Sequence, residues 1–107
     1  MASQTPTADA LSARLRAIMI AGNNFIDETL QTRLRALKPR EIDAIKPPSI
    51  AEAGGIWVND PGFCRRLGAL LFDVSDETID DLSLRDYQIL QASVFANFTS
   101  YMERETP

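Results

Sequence analysis

The chain has 107 residues, 45% of them hydrophobic, enough for one core and too few to fill a second domain. It contains no histidine and one cysteine, Cys64, which removes the commonest general base, every His-paired nucleophile and any internal disulfide, and leaves almost no route to a zinc site. The formal charge of −4 is unevenly placed: residues 1–66 sum to +2 and residues 67–107 to −6, a balance that disfavours phosphate-driven nucleic-acid binding and suits a basic or amphipathic partner.

No amino-terminal stretch combines basic residues, an apolar run and a small-residue cleavage site, and the longest apolar run, residues 67–72, is far too short to span a bilayer. A protein of the reducing cytoplasm with no membrane association is therefore expected. Residues 1–7 are small and polar and are expected to form a flexible amino terminus. Thr7 with Asp9 then marks a helix start, and Leu11, Leu15, Ile18 and Met19 share one face of a helix that ends near Gly22. Phe25, Ile26, Leu30, Leu34 and Leu37 form a second stripe at helical period, although Thr29 and Thr32 would also tolerate a strand.

Pro39 suits a first helical position, so a short helix over residues 40–45 should turn Ile42 and Ile45 inward. Residues 47–55 read as a loop, and Ile56, Trp57 and Val58 follow as a short apolar run. Asp60 and Pro61 then give a cap and a first-turn proline for a helix burying Phe63, Cys64, Leu67, Leu70 and Leu71. Ser75 opens an acidic turn, and Ser83 with Asp86 repeats the capping-box pattern in its aspartate form. Leu84, Tyr87, Leu90, Val94, Phe98 and Tyr101 then predict a long helix over about residues 84–103. The whole reads as an all-α, single-domain bundle over residues 8–104, with about four main helices and room for a minor strand segment.

Candidate chemistry is sparse. A calcium loop begun at Asp73 would put Thr78 where glycine is needed and Leu84 where the bidentate glutamate belongs, so Asp73, Asp76, Glu77, Asp80, Asp81 and Asp86 read as a solvated, helix-capping rim. Cys64 lies on an apolar helix face with no histidine to activate it and reads as a core residue. Arg14, Arg16, Arg33, Arg35, Lys38 and Arg40 give a basic face whose neighbours include few aromatics. No catalytic residue, cofactor or metal is expected. Trp57 is a candidate interface anchor, and the last helix carries more large apolar surface than one stripe uses, with Phe95 off the main stripe.

Ile79-Asp80-Asp81-Leu82, Ser83-Leu84-Arg85-Asp86-Tyr87 and then Leu90, Val94 and Phe98, together with Leu34-Arg35, Leu37-Lys38-Pro39-Arg40-Glu41-Ile42-Asp43, resemble the tail-assembly chaperones of long-tailed bacteriophages of the P2-like and Mu-like kinds. The resemblance covers roughly residues 30–100. It implies a non-catalytic protein, in the host cytoplasm, that coats a long helical tape-measure protein and keeps its apolar stripe soluble until tail-tube subunits polymerise, with self-association to cover so long a partner. Under that implication the partner-facing residues are Tyr87, Val94, Phe95, Phe98 and Tyr101, with Trp57 as a second anchor. A small phage or bacterial regulator, either a protein inhibitor or a DNA-binding repressor acting through residues 33–40, is the alternative.

Overall fold

The computed structural model describes residues 7–45 and 61–105, and all regular structure among them is helical. Six helices follow in order: α1 Ala8–Ile20, α2 Glu28–Ala36, α3 Pro39–Ala44, α4 Pro61–Phe72, α5 Asp76–Asp80 and α6 Leu84–Glu105. The second stripe is a helix, with no strand among the described residues. The loop expected over residues 47–55 and the Ile56, Trp57, Val58 run lie outside the described residues.

The helix starts are chemically specified, except that the cap expected for α4, Asp60, lies outside the described residues. Thr7 Oγ1 accepts from Ala10 N at 3.1 Å, Ser75 Oγ from Thr78 N at 3.2 Å and Ser83 Oγ from Asp86 N at 3.1 Å, each satisfying a donor that the first helical turn leaves open. The α2 start differs from the sequence expectation. Phe25 and Ile26 stand outside the helix because Asp27 is its cap, its carboxylate accepting from Leu30 N at 3.1 Å. The preceding turn runs through the left-handed region at Gly22, Asn24 and Phe25, with φ of 69°, 53° and 67°. For Phe25 that geometry is disfavoured by its Cβ and needs outside support.

The stops are equally local. Pro39 forces Lys38 into extended backbone, φ −97° and ψ 152°, so α2 ends and α3 begins on a new axis, with Glu41 Oε1 accepting from Lys38 N at 3.0 Å. At the end of α4, Asp73 takes φ 55° and Val74 N reaches back to Ala69 O at 3.1 Å, closing a Schellman turn.

Helix α6 packs against α1, α2 and α4 and is the axis of the core. Its Ile89, Leu90, Val94 and Phe98 meet Leu11, Leu15 and Ile18 of α1, Leu30 and Leu34 of α2, and Phe63, Leu67 and Leu71 of α4 in one buried cluster. Phe63 and Phe98 meet edge-to-face, with centroids 5.6 Å apart. Gly68 lets α4 approach closely: a Cβ there would stand 2.9 Å from Leu90 Cδ2 and 3.2 Å from Val94 Cγ2. Leu84, placed by periodicity on the buried stripe, is instead 73% exposed. It is the first helical residue after Ser83 and extends past the end of the packed layer. No helix among the described residues is long and apolar enough to cross a membrane.

Candidate protein-docking groove

Where α2 and α3 diverge at Pro39, the last turns of α6 pass beneath the corner and an apolar groove of about 270 Å³ opens between them. Leu34 and Phe98, both buried, form its floor, Leu37, Ile42 and Tyr101 its half-buried walls, and Met102 its exposed rim. Among the described residues, the only charged side chain lining it is Lys38. The groove follows from local causes: proline breaks α2, the new axis of α3 carries Ile42 away from Leu34, and α6 continues beyond the point where α2 covers it.

The structure divides the predicted partner-facing residues among three places. Tyr101 lines the groove, and Phe98 reaches it only from below, being 4% exposed. Val94 is fully buried against Gly68, a correction to its expected surface role: it lies where α4 comes closest. Tyr87 is half-buried at the opposite end of α6, where its hydroxyl accepts from Gln91 Nε2 at 2.9 Å and the Arg65 guanidinium lies 5.9 Å from its ring centroid. Phe95 is exposed beside a separate cleft shared with Pro61, Cys64, Gln91 and Ala92. Trp57 lies outside the described residues. Sequence reasoning missed the α2–α3 side of the groove, Leu37, Pro39 and Ile42, because each was absorbed into a stripe or a helix start. The available signal was that the apolar series Leu34, Leu37, Ile42 continues across a proline that must redirect the chain.

The charged residues are largely committed to the fold. Arg14 reaches Asp27 at 3.3 Å and stacks over Phe72 at 5.4 Å, Arg35 pairs with Glu28 at 3.5 Å, and Arg33 donates to Leu70 O at 2.8 Å. Arg65 binds Asp76 at 2.8 Å and Asp80 at 2.6 Å, and the two carboxylates, Asp76 foremost, hold its guanidinium further into the charged form. Asp86 is buried; its carboxylate accepts from Ser12 Oγ and pairs with Arg16 at 3.3 Å. The Ser12 hydrogen bond, opposed by desolvation and helped by Arg16, holds the Asp86 carboxyl below its usual range. Among the described residues no three of His, Cys, Asp or Glu gather as a metal site, and Cys64 is buried.

Compared with known proteins, the chain matches no family model, no curated protein and no solved structure.

Proposed function

We propose that the chain is a non-catalytic assembly factor that docks an apolar helical segment of another protein in the groove between the α2–α3 corner and the end of α6. The observation that carries this reading is the groove's chemistry: a concave wall of Leu34, Leu37, Ile42, Phe98, Tyr101 and Met102 with one charge on it, the kind of surface that takes the apolar face of an amphipathic helix. Its resemblance to the tail-assembly chaperones makes a long helical tape-measure protein the proposed client. A DNA-binding repressor has less support, since Arg33 and Arg35 within the 33–40 segment are engaged by the chain's own acceptors.

Binding of a synthetic amphipathic helix, apolar at positions i, i+3, i+4 and i+7, tests the reading by calorimetry or fluorescence anisotropy. Ile42→Asp and Tyr101→Ala should each weaken binding at least tenfold, while Phe95→Ala leaves it unchanged. Equal loss from Phe95→Ala, or no binding by the unaltered chain, would overturn it.

A further inference from the structure

One wall of the groove is the least anchored helix of the chain. With 6 residues, α3 is far below the ~12–15 at which a helix begins to hold its form in water without packing. It alone among the described helices carries no buried residue, and the half-buried Ile42 and Ile45 supply its apolar contact with the core. Its entry is fixed by Lys38 and Pro39, with the Glu41 carboxylate closing on the Lys38 amide. Its exit is held by one bond: Arg66 Nε of α4 donates to Ile45 O. Among the described residues no other hydrogen bond or ion pair ties α3 to another helix.

Open space lies on both sides of α3, and the two spaces differ in kind. In front is the apolar groove. Behind, against α4, is a cleft of about 510 Å³ whose lining includes five charged side chains, Arg33, Glu41, Arg66, Asp73 and Asp76. Water filling the rear cleft meets groups that bind it, whereas water filling the groove meets an apolar wall. A forward swing of α3 would bury Ile42 against Leu34 and Phe98 and would transfer open volume from the apolar lining to the charged one. Both changes favour closure. The Arg66 bond opposes them: Arg66 and Ile45 both line the rear cleft, so the bond between them draws the end of α3 back towards α4.

We propose that α3 is a lid over the groove, held open by the bond from Arg66 to Ile45 O. When that bond is released, α3 turns about Lys38 and Pro39, and Ile42 closes on Leu34 and Phe98. The lid's effect on a client rests on the reading of the groove as a protein-docking site, but closure is a property of the free chain. Arg66 thereby governs the groove as a positioning residue, without lining it. One exposed hydrogen bond has a small net worth, so its loss lowers the open fraction by a modest factor, and the apparent affinity falls with that fraction.

Two measurements on the full chain test the lid. In Arg66→Ala, methyl NMR should show cross-relaxation between Ile42 and Tyr101 or Met102 clearly stronger than in the parent. The same variant should bind the synthetic amphipathic helix roughly three- to tenfold more weakly, with an unchanged circular dichroism spectrum, because Arg66 is exposed. Arg66→Lys, which keeps a donor, should recover most of the affinity. Arg66→Met, which keeps the aliphatic stem and loses the donor, should behave like Arg66→Ala and serves if that variant fails to fold. Cross-relaxation and binding equal to the parent's in both donor-less variants overturn the proposal. So does tighter binding, which would mean that the bond holds the groove shut. A parent that never binds the helix, with closure still seen in Arg66→Ala, removes the docking reading alone; a parent that binds, with no closure in the variant, removes the lid alone.

Discussion

Asn97 is fully buried on α6 and makes the contacts that hold the α1–α2 turn in its disfavoured geometry. Its Nδ2 donates to Phe25 O at 2.8 Å and to Ser93 O at 2.7 Å, while its Oδ1 accepts from Asp27 N at 2.9 Å and from Gln31 Nε2 at 3.0 Å. Two of these partners are backbone groups with left-handed or cap geometry beside them, so truncation leaves them unpaired as well as opening a void. Asn97→Ala should cost about 3 kcal/mol or more, read as a lower urea midpoint. Asp86 links a second residue contact to pH. Its folded-state pKa is depressed, so its contribution is fully present above the ordinary carboxylate value of about 3.9 and is lost as pH falls through the folded value. Ser12→Ala removes the largest cause of the depression and raises the folded value towards the unfolded one, so less stability remains for acid to remove. Urea melts from pH 7 downward should show a lower starting midpoint for Ser12→Ala and a smaller fall with acid than the parent's; parallel curves would refute the link.

Among elements, the contact between α4 and α6 is set by one missing side chain. Gly68→Leu must displace Leu90 and Val94 and should cost about 1–3 kcal/mol or more by overpacking, whereas an alanine there regains helix propensity against a smaller clash. The end of α4 should respond oppositely: Asp73 holds φ 55° on a side chain that dislikes it, so Asp73→Gly should be neutral or stabilising by up to about 1 kcal/mol in thermal melts. Helix identity was legible wherever period and cap agreed, as in Thr7 with Leu11, Leu15 and Ile18, or Ser83 with Leu90, Val94 and Phe98. The start of α2 was misplaced because Phe25 and Ile26 fit its period, whereas Asp27 caps the helix and Asn97, some seventy residues away, holds the turn before it. The groove was half legible. Tyr101 was among the residues expected to face a partner, but period gives a direction around a helix and not which neighbour covers it, so Val94 and Leu84 were assigned to the wrong environments.

For the molecule as a whole, α6 serves three neighbours at once, and the consequence is a stability profile that alternates sharply along one helix. Leu90, Val94 and Phe98 are enclosed by α1, α2 and α4, whereas Leu84, Phe95 and Met102 on the same helix are exposed. Truncation inside that enclosure loses transfer free energy and leaves a cavity: Leu90→Ala should cost about 2–5 kcal/mol and Phe98→Ala about 3–5 kcal/mol. Alanine at Leu84, 73% exposed, removes surface already in water and should stay within about 0.5 kcal/mol of the parent. Alanine at Phe95 or Met102, 37% and 40% exposed, should cost more than that and less than Leu90→Ala or Phe98→Ala. Denaturant unfolding of the five variants measures the profile, and binding measured in parallel gives it functional content. Phe98→Ala would lose partner binding together with stability, because the groove floor is also core. Met102→Ala would lose binding at a much smaller cost in stability, because the groove rim is partly exposed. A Met102→Ala variant destabilised as much as Phe98→Ala would mean that the end of α6 is covered in solution, and that the groove is closed to any partner.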